Sequence, residues 1–352
     1  MVVSTAKMNN YYHTTYQKCN YSLTYMATPE FLQTFCHSGN VLLVTVGFYT
    51  LYLIVRKSPK NMQSAIPYMV NQNCTLMAAD FLFSVMTLPY FFFPLPACTD
   101  FGLLEWLKAP LSVFIWLSCA SLGGIASSIM ALFEHRHRAI VINSRFVFRR
   151  KSTRYVFYFF VYALSMNCGF LMILNAPDHL EELSLELLND FPCPPPIYFE
   201  SRVLVFQSDL LYFALIIFFC AGSMTSLVAF FGLHCMWHLL PANTPNMSAT
   251  TRRLQKRVII SSIIQVAIPM LVIINPLVMI IISIVMNYHS QALTNLFTFI
   301  LTLHGSAGSI AVILIYKPYR TYTIGLLVSL FDRLPSKKFT TVAIPKKWEK
   351  AR

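Results

Sequence analysis

The chain has 352 residues, 56% of them hydrophobic and 12% charged, with a mean hydropathy of +0.57 and a formal net charge of +13. That balance excludes an ordinary soluble globular domain, in which about a quarter of residues are charged, and places the chain in a membrane. The positive excess does not mark a nucleic-acid binder, because it is divided among short loops that suit anionic lipid rather than gathered on one face.

A helix needs roughly 20 mainly apolar residues to cross a bilayer. Runs of that kind cover residues 35–55, 66–92, 109–133, 155–174, 204–233, 258–286 and 293–316. None alternates as a barrel strand does, and a spanning backbone must satisfy its own hydrogen bonds, so the predicted fold is an all-α bundle of seven transmembrane helices. Every basic residue except Lys7, Lys18, Lys108 and Arg202 falls beside one set of span ends. Positive charge stays inside, so residues 1–34 are expected outside the cell and residues 317–352 form a cytoplasmic tail. The opening MVVSTAKMNNYYH lacks the apolar core of a signal peptide, which leaves insertion to the first span.

Ahead of the first span, KCNYS sets Cys19 beside a glycosylation sequon at Asn20. The outer side also holds Cys98 and Cys193, so an outer disulfide is expected, either Cys19 to Cys193 or Cys98 to Cys193, with the first favoured. Asp80 lies near the middle of the second span, where a carboxylate is costly; it is either a switch or ion site, or a neutral packing residue. After it, PYFFFP together with Phe114 and Trp116 of the third span can line an apolar pocket or anchor the membrane interface.

The third span runs out into FEHRH, and the longest outer loop, between spans four and five, is acidic with leucines at helical spacing. Gln207 and Asp209 sit at the outer end of the fifth span, at a depth suited to a ligand or to a merely interfacial carboxylate. Pro269 and Pro276 interrupt the sixth span; each removes a backbone donor and invites a hinge. His135, His137, His234 and His238 have spacings a metal accepts, but interfacial histidines are ordinary, and no metal or cofactor is expected. No phosphate-binding loop, zinc-protease motif or nucleophile elbow is present, so the chain does not read as an enzyme.

The seventh span, LTLHGSAGSIAVILIYKPYR, places His304 near the bilayer midplane. Gly305 and Ser309 form a small-xxx-small pair that lets a neighbouring helix approach, and His304 is either a packing residue or a ligand or switch residue. Pro318 is expected to end the helix, Tyr319 to sit at the interface, and Lys317 and Arg320 to hold the cytoplasmic side. Beyond them, Ile324, Leu327, Val328 and Phe331 suit a segment lying along the membrane, followed by a basic tail drawn to lipid.

MALFEHRHRAIVI after span three, TRRLQKRVIISSIIQVAIPMLVIINPLV at span six and the whole of span seven, in that order, resemble the nematode serpentine chemoreceptors of class H. YMATPEFL, LPYFFFP and PCPPP extend the resemblance from about Cys19 to Arg320. It implies a G-protein-coupled receptor that detects an odorant or soluble chemical and signals to a heterotrimeric G protein, at the plasma membrane of sensory-neuron cilia. By the same resemblance Glu134 and Arg136 form the acidic and basic elements of the coupling switch, bordered by Pro318, Tyr319 and Arg320. His135 stands where the class pattern has Asn, and Pro318-Tyr319-Arg320 replaces the Asn-Pro-x-x-Tyr of rhodopsin-like receptors. The rival reading is a ligand-gated channel or transporter, against which stand only two intramembrane carboxylates and no broken-helix repeat.

Overall fold

The computed structural model describes residues 6–16, 24–93, 95, 97–141, 146–174, 180–190, 194–200, 202–205, 210–243, 247–286 and 290–333. Among these, a short helix α1 (Ala6–Thr14) precedes the bundle, and α2 (Pro29–Arg56) is the first span. TPEF sets where α2 begins: the Thr28 hydroxyl accepts from the Phe31 N–H at 3.3 Å, Pro29 fills the first turn, and Glu30 faces the positive helix end.

The second span is α3 (Ile66–Phe81), prolonged by a π-helical turn over Leu82–Met86. A short α4 (Leu103–Trp106) leads to the third span, α5 (Leu111–Ile140). The fourth is interrupted, α6 (Lys151–Met166) then α7 (Cys168–Leu174), and is followed by α8 (Leu180–Asp190) and α9 (Ile197–Glu200). The fifth and sixth are α10 (Leu210–His238) and α11 (Ala249–Val285). The seventh is broken into α12 (Gln291–Thr302) and α13 (His304–Ile315), bent by 43°, and α14 (Lys317–Arg333) leaves it.

Three expected boundaries are corrected. The second span does not reach residue 92, nor does the fifth begin at 204, because Pro89–Phe91 (β1), Ala97–Asp100 (β2) and Val203–Val205 (β3) form an antiparallel sheet in the order β1-β2-β3. These apolar strands abut apolar helices, so hydropathy alone merged the two. The cytoplasmic tail expected from residue 317 begins as a helix through Arg333, and Pro318 sits in the first turn of α14 instead of simply stopping α13.

The sheet, α1, α8 and α9 form a cap over one end of the bundle. Tyr11 and Tyr16 donate to the Leu188 and Pro194 carbonyls at 3.1 and 2.9 Å, and Leu32, Tyr90, Phe92, Leu188 and Tyr198 share one apolar core. Arg202 pairs with Glu105 and donates to the Ala109 carbonyl at 3.0 Å, tying β3 to the start of α5. A second core lies within the bundle around Leu76, Ile125, Met130, Phe133 and Phe231. A third, at the basic end, gathers Leu53, Met69, Leu132, Tyr316 and Tyr319.

Candidate functional site

The break in the seventh span follows from three residues. His304 turns its ring back so that Nδ1 lies 2.8 Å from the Leu301 carbonyl, and the backbone closes a tighter turn, Leu303 N–H to Ile300 O at 3.0 Å. A helix that restarts here exposes unpaired N–H groups at its first turn. The Asp80 carboxylate on α3 supplies the missing acceptor: it takes the Gly305 N–H at 3.0 Å and the Ser306 N–H. Asp80 is thus an N-cap delivered from another helix, placed where the α13 dipole favours negative charge. His304 Nδ1 lies 3.3 Å from the same carboxylate.

Below the cap, toward the basic end, a chain of polar contacts crosses the bundle. Ser309 donates to Asn73 Oδ1 at 3.2 Å, and Asn73 donates to the Gly47 carbonyl of α2 at 3.1 Å. Gln265 of α11 donates to Gln72 Oε1 at 2.8 Å, and the Tyr316 hydroxyl donates to Gln265 Oε1 at 3.0 Å. Buried amides and hydroxyls of this kind must be mutually satisfied, so α2, α3, α11 and α13 are in register through them. Gly305 and Ser309 both face α3, and a β-carbon at Gly305 would strike the Asp80 carboxylate.

At the basic end the expected switch residues separate. Glu134 and Arg136 are two positions apart, which turns their side chains about 200° from each other on a helix. Glu134 accepts a hydrogen bond from Tyr158 of α6, and no ion pair joins it to Arg136 among the described residues. Arg136 is only 9% exposed, and its Nε and one terminal nitrogen meet no hydrogen-bond partner. Its charge reaches Tyr319, whose hydroxyl is hydrogen-bonded to the Ser58 hydroxyl at 2.6 Å. Tyr319 is fully buried, not interfacial as expected: the turn at Tyr316 points it back between α2 and α13. Arg320 donates to the Leu314 carbonyl at 2.8 Å and so covers the negative end of α13. Pro318 begins the helix that presents both.

The other expected residues fall as follows. Phe114 is buried beneath the sheet with Cys98, Leu104 and Leu204, while Trp116 is half-exposed and donates to Asn167 Oδ1 at 3.3 Å where the fourth span is interrupted. The two aromatics therefore have different neighbours. Pro269 lies in α11 against Gly308, and Pro276 lies in the same uninterrupted helix. Cys98 is a free, buried thiol, which removes it from the disulfide candidates; Cys19, Asn20, Cys193, Gln207 and Asp209 lie outside the described residues.

Sequence reasoning missed the bond that joins Cys168 of α7 to Cys220 of α10. Both cysteines sit in apolar runs, where a thiol reads as a small hydrophobe. It named His137 and His234 separately but not their meeting: His137 Nε2 lies 2.7 Å from His234 Nδ1 and links α5 to α10. Among the described residues no group of three side chains is arranged to hold a metal ion.

Comparison with known proteins gives three findings. The family model described as Serpentine type 7TM GPCR chemoreceptor Srh matches residues 27–329. Serpentine receptor class H-72 of Caenorhabditis elegans is 26% identical over 340 residues, 93% of this chain and 94% of the relative. The crystal structure of squid rhodopsin superposes with a TM-score of 0.55 at 12% identity over 88% of each chain, a likeness of fold alone.

Proposed function

The chain belongs to the Srh family of serpentine seven-transmembrane chemoreceptors, and from that premise we propose how this G-protein-coupled chemosensory receptor transmits its signal. A small environmental molecule, volatile or water-soluble, binds among the capped halves of the helices. It favours a bundle state whose basic face accepts a heterotrimeric G protein, a shift of populations rather than a reaction. The capped end lies outside the cell, the basic end faces the cytoplasm and its anionic lipid, and the receptor works at the plasma membrane of sensory-neuron cilia.

Arg136 is the contact that passes the signal on, with Pro318, Tyr319 and Arg320 beside it. The observation that carries this reading is the buried guanidinium of Arg136 at the basic end, whose Nε and one terminal nitrogen lack hydrogen-bond partners and whose charge acts on Tyr319. A buried charge without a partner is costly, and a docking protein that offers backbone or side-chain acceptors relieves that cost. Helix seven transmits motion through its break at Leu303, and Pro269 gives α11 a point at which to pivot.

The test uses reporter cells that express the full chain with a promiscuous G protein and are screened with volatile and water-soluble odorants. Arg136→Ala is expected to abolish every evoked response at unchanged surface expression. Responses that survive the substitution overturn the assignment of Arg136.

A further inference from the structure

One nitrogen in the helix-seven break is not used by the contacts that hold the break together. His304 is 0% exposed, and its Nδ1 faces the Leu301 carbonyl at 2.8 Å and the Asp80 carboxylate at 3.3 Å. A backbone carbonyl only accepts, so Nδ1 carries the ring proton. The neutral ring then offers Nε2 as a lone pair, and no hydrogen-bond partner meets that nitrogen. A second proton on the ring would set a charged N–H at Nε2, where no acceptor stands, at greater cost than an unused lone pair.

A buried water needs two to four polar partners. The Ser306 hydroxyl is also without a partner, but it lies two residues along α13 and so about 200° away on the helix. One water cannot serve both atoms. A buried acceptor left unmatched suits a molecule that brings a donor on an apolar body.

We infer that His304 Nε2 is the acceptor for the bound chemical, and that the receptor selects ligands bearing a hydroxyl or N–H over ethers and ketones of the same shape. This rests on the reading of the chain as a receptor for small molecules and gives that ligand its chemistry. Leaving such an acceptor unmatched costs the wrong ligand about ten- to a hundredfold in affinity.

The full-length receptor, labelled at its histidine rings and placed in lipid nanodiscs, is titrated with n-hexanol and with methyl pentyl ether while ring-nitrogen NMR is recorded. The Nε2 signal is assigned by its loss in His304→Gln and, independently, in His304→Phe. Hexanol is expected to move it to the hydrogen-bonded position and to do so in Ser306→Ala as well, with the ether needing at least tenfold more. Equal effects of the two compounds, no effect of either, or an Nε2 already hydrogen-bonded and unmoved by hexanol each overturn the inference. No G protein is present in this measurement. A hexanol shift alongside failed reporter signalling would sink the coupling reading and leave this one standing.

Discussion

At Gly305 there is no room for a β-carbon, because the Asp80 carboxylate that caps α13 occupies the place it would take. Gly305→Ala should therefore lower the thermal unfolding midpoint of the purified receptor by an amount equivalent to about 2 kcal/mol, the usual cost of overpacking a close contact. Asp80→Ala should cost a similar amount for a different reason, since it leaves the Gly305 and Ser306 N–H groups buried without an acceptor. It also makes room, so the two substitutions together should cost clearly less than their sum; strict additivity would show that they do not share one contact. In the cap, Asp100 gives a prediction with a pH sign. Its carboxyl is pushed up to about 7, chiefly by burial and further by the charge of Glu105, while the Gly102 N–H and Arg202 act the other way. A carboxyl whose folded value is raised holds its proton more tightly when folded, so its contribution is greatest below the ordinary carboxylate range and declines as pH rises from about 4 to about 7. The cap should exchange its backbone amides more readily, after correction for intrinsic rates, at pH 7.5 than at pH 5, by roughly 2 kcal/mol of local stability. Asp100→Asn should remove that dependence, and a variant that keeps it would place its origin elsewhere.

Among the elements, the interrupted spans carry most of what hydropathy left unread. Hydrophobic runs overlap each of the spanning helices, but they cannot tell an apolar strand from the end of an apolar helix. PYF and VLV were therefore absorbed into spans, although they pair with the intervening ACTD across the mouth of the bundle. Asp80 and His304 stood out in the sequence as polar residues in apolar surroundings. Their meeting was not legible, because Asp80 and Gly305 are 225 positions apart and only the packing of α3 on α13 joins them. Glu134 and Arg136 show the opposite case: their spacing alone, two residues on a helix, already implied that they face apart. The tie between α7 and α10 is the least legible element contact, since neither Cys168 nor Cys220 lies on the aqueous side where disulfides are sought. Closing a loop of 52 residues is worth about 4 kcal/mol by chain entropy in water, and less where the bilayer already confines both helices. Cys168→Ser, Cys220→Ser and the double variant should each lower the unfolding midpoint to the same extent, and reductant should bring the parent to that value. Unequal single variants, or a parent indifferent to reductant, would mean that the sulfurs act separately.

For the molecule as a whole, the proposed direction of signalling depends on which end faces the cell interior, and two independent asymmetries bear on it. The basic residues beside α2, α5, α11 and α14 gather at one end, opposite the cap built from α1, the sheet and α8. Lys and Arg near span ends resist translocation and are held by the anionic inner leaflet. The cap, by contrast, is an assembly of aromatics, short strands and the acidic helix Leu180–Asp190, which bears no lysine or arginine. If charge sets the topology, the sequon at Asn20 is exposed to the glycosylation machinery, while that at Asn246, between the fifth and sixth spans in the sequence, never meets it. The full chain expressed in animal cells should then show one glycosidase-sensitive shift in size, lost in Asn20→Gln and kept in Asn246→Gln. A tag after Arg352 should resist protease added to intact cells and yield once they are permeabilised. A glycan that disappears only with Asn246→Gln would invert the molecule, place Arg136 and Tyr319 outside, and leave the G protein facing the cap. In the proposed orientation the same two arms, glycan and tag, fix Arg136 on the side where the G protein waits, and α13, which begins at the break, becomes the part of helix seven that lies between the bound chemical and that face.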